Sequence, residues 1–157
     1  MHLNQRKQRG LTLVESMIAL LVISVGLLGI AALQITSMKQ NASALNHSRA
    51  VWIGYDMADR IRANIGQFAR YAGIDTNTAY SENCTGGCNT IQMVTSDAEE
   101  WSAQMQNLPA GRGMITGNAN RLVIAVMWDD EGTGASGTGC DPTNSNDLTC
   151  YTVLLVQ

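Results

Sequence analysis

Glu15 is the one ionisable side chain in an apolar run, LTLVESMIALLVISVGLLGIAAL, that covers residues 11–33. A carboxylate in lipid costs roughly 2.5–3.5 kcal/mol on insertion scales, and such residues tend to be paired and functional. Near the end of a span the cost falls, so the plain reading is a carboxylate that snorkels to the interface. The sharper reading is that Glu15 meets a cation on another chain. A cut after Gly10 would create one on every copy, the new α-amino group of Leu11. The second candidate chemistry is that of the cysteines, Cys84, Cys88, Cys140 and Cys150. Four thiolates can hold zinc, but C-x3-C and C-x9-C are poor zinc spacings. Two disulfides fit better if this part of the chain lies in an oxidising compartment. Of the three possible connectivities the local one, Cys84–Cys88 with Cys140–Cys150, is favoured, because both loops hold turn residues that let the ends meet. A loop of about ten residues closed in this way contributes roughly 3 kcal/mol. The third candidate is an acidic group, Asp129, Asp130, Glu131, Asp141 and Asp147, with no Lys or Arg after Arg121. Calcium is conceivable there, but EF-hand spacing is absent. A solvated loop, or a charged rim facing a neighbour, is the simpler reading. His2 and His47 are the only histidines. A His-rich metal centre and a Ser-His-Asp triad are thereby disfavoured in the C-terminal two-thirds. No nucleophile motif and no phosphate-binding loop occurs, so neither an enzyme nor a cofactor is expected.

The elements that hold these residues follow from composition and period. The chain has 157 residues, a net charge of −3 and 15% charged residues, against roughly 25% in soluble domains. The deficit lies in the apolar run. As a helix, its residues span about 35 Å at about 1.5 Å per residue, enough to cross a hydrocarbon core. Arg6, Lys7 and Arg9 precede it without an acid, which keeps the N-terminus in the cytoplasm and places the rest outside. A secretory signal fits less well, since its apolar region is shorter and ends at a small-residue cleavage site. Beyond the run, Met38, Ala42, Leu45, Trp52, Ile53, Met57, Ile61, Ile65 and Phe68 recur at near-helical spacing. One helix is predicted from about residue 12 to about residue 68, apolar all round at first and on one stripe later. Asp56 and Arg60 form an i,i+4 pair, read as part of its solvated face. After Gly73 a loop is predicted to carry Cys84 and Cys88. A short helix follows at 96–107, started by a Ser96–Glu99 capping box and ended by Pro109. Strands are predicted at 113–116, 122–128 and 151–156, with a flexible loop at 131–139. From Thr36 onward seven basic residues face twelve acidic ones, so nucleic acid is not an expected partner unless Arg112 and Arg121 form a patch.

The run RGLTLVESMIALLVISVGLLGIAALQ resembles the leader and first helix of type IV pilins and of type II secretion pseudopilins. The resemblance implies an α+β, pilin-like fold in which a long N-terminal helix, membrane-spanning in its first half, packs on a small antiparallel sheet. It divides the chain into a cleaved leader at 1–10, a transmembrane and assembly segment at 11–33, an amphipathic half-helix at 34–68 and a head at 69–157. It implies that prepilin peptidase cuts between Gly10 and Leu11 and methylates Leu11. The family's usual first mature residue is Phe, and Leu11 departs from it. Glu15 falls on the family's glutamate at the fifth mature position. The stretches VISVGLLGIAALQ, DMADRIRANIGQFARYAG and DAEEW…LPAGRG resemble minor pilins, which help to initiate assembly near the pilus tip. The implied partners are the peptidase, the major pilin, other minor pilins and, before assembly, the inner membrane. The alternatives are a minor pseudopilin and a tip pilin whose head captures DNA or a surface. Many major pilins carry a helix-breaking Pro in the apolar half. This chain has none before Pro109, and Gly26 and Gly29 are the only substitutes. Gly10→Val should leave a longer, uncut precursor in the inner membrane. Mass spectrometry of the mature protein should start at Leu11, and a chain from assembled pili that still starts at Met1 would overturn this reading.

Overall fold

The computed structural model describes residues 12–157. Its elements are α1 (Leu13–Ala63), a 3-10 segment (Ile65–Tyr71), α2 (Thr90–Met105), β1 (Arg112–Asn118), β2 (Arg121–Trp128) and β3 (Thr149–Val156). The chain falls into two units, divided after Asn41. This is an α+β architecture, one long apolar helix with a small antiparallel sheet.

In the first unit every described residue is exposed, including Leu13, Ile18, Leu21, Val25, Leu28 and Leu33. The helix is long and apolar enough to cross a membrane. Such a surface is not stable in water and calls for lipid or other helices around it. Two of its hydroxyl groups bond back to the helix. The Ser24 hydroxyl donates to the Leu20 carbonyl at 2.7 Å, and that of Thr36 to the Ala32 carbonyl at 3.1 Å. In lipid that closure matters, because no water is present to take the bond. α1 runs through Gly26 and Gly29 without interruption.

In the second unit the sheet has the order β1-β2-β3, antiparallel throughout. A two-residue turn, Ala119 and Asn120, joins the first two strands, and the Asn118 side chain accepts from the backbone N–H groups of Asn120 and Arg121. Alternate residues Leu122, Ile124 and Val126 of β2, with Ile115, Val153 and Leu155, form the buried face. α1 contributes Ala50, Ile53, Met57, Ala58 and Ile61 to the same core, and α2 contributes Val94, Ala98, Trp101 and Met105. Gly54 lets α1 approach β3. A methyl group there would lie 3.3 Å from Val153 Cγ2 and 3.4 Å from the Tyr151 ring.

Three expectations from the sequence need correction. The predicted stripe on the long helix is really two. Ile53, Met57 and Ile61 are buried, but Trp52 is 70% exposed, Leu45 51% and Met38 71%. Adjacent residues on a helix are turned by about 100°, so Trp52 and Ile53 cannot share a narrow face. The α-helix also stops at Ala63. Asn64 leaves helical geometry (φ −115°, ψ 41°), and its amide donates to the Thr90 carbonyl at 2.7 Å and to Tyr71 Oη at 3.2 Å. Finally, α2 starts at Thr90, and the capping box is Asn89 with Gln92. Ser96 and Glu99 lie inside the helix, so their spacing is incidental.

Replacing Met57 by Ala should cost about 2–5 kcal/mol through the cavity left behind. Trp52→Ala should change stability by less than about 0.5 kcal/mol. Urea unfolding of the full chain in detergent, followed by tryptophan fluorescence, distinguishes the two.

Candidate functional site: the helix start and the polar clamp of the head

Gly10 and Leu11 lie outside the described residues. The start of α1 is described, and Thr12 caps it. The Thr12 hydroxyl accepts from the Glu15 N–H at 3.3 Å, and the Thr12 carbonyl from the Ser16 N–H at 3.2 Å. Glu15 therefore stands in the first turn, where unpaired N–H groups and the helix dipole favour a negative charge. The pattern Thr-x-x-Glu could have been read as a helix start from the sequence.

In the head, Arg60 is the centre of a polar clamp. Its Nε donates to Asp56 Oδ2 at 2.9 Å, and its Nη1 to Asp97 Oδ1 at 3.2 Å and Glu100 Oε2 at 2.7 Å. Tyr71 Oη donates to the second Asp97 oxygen at 2.6 Å, and Gln104 Nε2 to Asp56 at 3.0 Å. Asp97 is only 5% exposed. Burial works against the Arg60 charge, but the bonds to Asp56 and Glu100 prevail and hold its pKa above the ordinary value. Burial, then the bond to Asp97, pushes the Tyr71 phenol up. The Asp56–Arg60 pair is thus no solvated face. It joins α1, α2 and the 3-10 segment. Asp97 is 37 residues from Arg60, so no local spacing could have shown it.

The remaining charges hold loops in place. Arg112 Nη2 donates to Asp75 Oδ2 at 2.6 Å, and this bond lowers the Asp75 pKa. Arg112 pairs with Met127 and Arg121 with Asn118. Six strand positions, about 20 Å at about 3.3 Å each, separate the two arginines, and they form no joint patch. Asp129 is 8% exposed and accepts from the N–H groups of Gly134 (2.7 Å) and Thr133 (3.0 Å), which lower its pKa. Asp130 accepts from the Ser43 hydroxyl and from Trp128 Nε1. Burial opposes its ionisation, and these bonds outweigh it. Asp147 accepts from the Asp141 N–H at 3.2 Å. The loop at 131–139, predicted to be flexible, is stitched to its neighbour. The Gly137 N–H donates to the Asn146 carbonyl at 2.8 Å, and the Leu148 N–H to the Gly137 carbonyl at 2.9 Å. Among the described residues no group of three His, Cys, Asp or Glu side chains is placed to hold a metal. Cys84 is bonded to Cys88 and Cys140 to Cys150, with Cα–Cα distances of 5.0 and 5.5 Å.

A capped apolar helix with a carboxylate in its first turn, joined to a disulfide-bonded head, is the context in which the comparisons with known proteins fall. Residues 5–31 match the prokaryotic N-terminal methylation motif. Residues 32–99 match the family described as Type IV pilin Tt1218. Together the two matches support a type IV pilin with a prepilin methylation motif. The motif implies processing by prepilin peptidase and assembly with other pilins, and the family is structural and generally not enzymatic. No curated protein and no solved structure gives a significant match.

Asp97→Ala should cost about 1.5–3 kcal/mol, the range for bonds to charged groups. The pH dependence has two arms. The lowered pKa values of Asp75, Asp129 and Asp130 mean stability that is present above about pH 4 and lost as the pH falls below it. The raised pKa of Tyr71 means stability that is present up to about pH 10 and lost as the pH rises further. Tyr71→Phe should flatten the alkaline arm alone, and urea unfolding across a pH series measures both.

Proposed function

We propose that this pilin is a minor one, a subunit that helps to prime assembly and sits near the pilus tip. It enters the inner membrane through α1 with its head outside the cytoplasm, loses residues 1–10, is methylated on Leu11, and then leaves the lipid for the filament. The residues 22–34, 56–73 and 97–113 resemble the minor pilin PilV, and that likeness favours a minor pilus subunit over a type II secretion pseudopilin. A DNA-capturing head is disfavoured by Arg112, whose charge is taken up by Asp75.

The observation that carries the assembly role is the position of Glu15. It lies in the first turn of a helix whose surroundings must change from lipid to neighbouring helices. When apolar helices close around a carboxylate and water leaves, the charge needs a cation. The α-amino group of Leu11, on the same or an adjacent subunit, lies at nearly the same depth. Glu15→Ala should insert at least as well as the wild type and should still be cut after Gly10, but should not enter pili. Glu15→Gln should fail in the same way, which separates charge from size. Quantitative blotting of inner-membrane and sheared-pilus fractions measures this, and wild-type levels of both variants in pili would refute the role. Deleting the protein should reduce the number of pili rather than their length.

A further inference from the structure

α1 begins at Leu13, and two bonds to Thr12 mark that start. The Thr12 carbonyl accepts from the Ser16 N–H at 3.2 Å, which is an ordinary i,i+4 helix bond. The Thr12 hydroxyl accepts from the Glu15 N–H at 3.3 Å, and this bond takes the place of another. In a helix continued backward, the Glu15 N–H would serve the Leu11 carbonyl and the Val14 N–H the Gly10 carbonyl. A side-chain oxygen that takes such an N–H sets the point where a helix starts. Propensity sets it less sharply, since Leu11 is a good helix former and only Gly10 is a poor one.

The start of the helix matters for the bond between Gly10 and Leu11. Its hydrolysis adds the oxygen of water to the Gly10 carbonyl carbon and breaks the bond to the Leu11 nitrogen. Gly10 leaves with a carboxyl group, and Leu11 takes up a proton and becomes the amine. On the way, negative charge grows on the Gly10 carbonyl oxygen, and donors of the peptidase must reach that oxygen. A carbonyl that accepts from the Val14 N–H inside a helical turn is withdrawn from those donors, and the turn obstructs attack on its carbon.

We propose that Thr12 is a positioning residue for prepilin peptidase. By holding the Glu15 N–H it starts α1 after the scissile bond and keeps the Gly10 carbonyl out of the helix. The inference rests on cleavage after Gly10, proposed above, and not on the Glu15 carboxylate. The bond uses only the backbone of Glu15, so Glu15→Ala and Glu15→Gln leave it in place.

The test measures kcat/KM for purified peptidase acting on the full precursor in detergent, with mass spectrometry of the product. Thr12→Val keeps the branched shape and a similar helix propensity but removes the oxygen. It should lower kcat/KM about fivefold, the population shift that loss of a typical cap produces. Thr12→Ser keeps the oxygen and should be cut at close to the wild-type rate. Leu13→Pro supplies a helix start by other means, because proline suits the first helical position and keeps the residue before it from helical geometry. In a Leu13→Pro background, Thr12→Val should therefore cost nothing further. Wild-type kcat/KM for Thr12→Val alone would overturn the proposal. So would an equal loss in both backgrounds, because the hydroxyl would then meet the peptidase directly. A wild-type product that does not begin at Leu11 would overturn the reading of the cut site and this inference with it, and the product mass separates that outcome from the other two.

Discussion

A helix that is apolar around its whole circumference cannot stay bare in water, and this constraint shapes the rest of the molecule. The first unit has no inner side, so its surroundings must come from elsewhere, whether lipid or other helices. Both surroundings are dry, and both require the backbone and hydroxyl groups to find partners within the helix, as Ser24 and Thr36 do. Among the described residues of the apolar run, Glu15 carries the one ionisable side chain. The first turn is the one part of a helix where a negative charge is locally favoured.

The head meets a different difficulty. Only one stripe of α1 is free to build a core, and the sheet has just three strands. Small residues, Ala50, Gly54 and Ala58, bring the helix close to the sheet, and two tryptophans, Trp101 and Trp128, fill much of the volume. Polar devices hold what the apolar core does not reach. Arg60 collects three carboxylates from two helices, Asp129 and Asp147 support the loops before β3, and each disulfide closes one loop. Charge is therefore spent on internal order, which leaves few cations on the head for a polyanion.

Much of this was legible in the sequence because it rests on local pattern. The apolar run, the acidic residue in its first turn and the antiparallel strands are written in period and composition. The misreadings have a common physical source. Trp52 and Ile53 both count as apolar, and only the tertiary contacts of Gly54 with Val153 and Tyr151 decide which one faces inward. Asn89–Gln92 and Ser96–Glu99 are comparable cap signals, and the choice between them depends on Val94 and Asp97 being buried. The clamp at Arg60 joins residues far apart in the chain, and a solvated i,i+4 pair was the natural local reading of Asp56 and Arg60. The loop at 131–139 looked free because glycine and serine dominate it. Its order comes from carboxylates and carbonyls on either side of it.

The two stripes of α1 also govern where the chain can change in length. Leu45 and Trp52 look outward while Ala50, Ile53 and Met57 look inward, all on one rigid screw. One residue gained or lost between Leu45 and Ala50 would turn Leu45 by about 100° relative to Ala50, Ile53 and Met57. The loop at 131–139 is under no such phase constraint, because individual hydrogen bonds at Thr133, Gly134, Ser136 and Gly137 hold it and no helical screw does. Natural variants of this protein should accordingly keep a constant residue count between Leu45 and Met57 and concentrate insertions and deletions between β2 and β3.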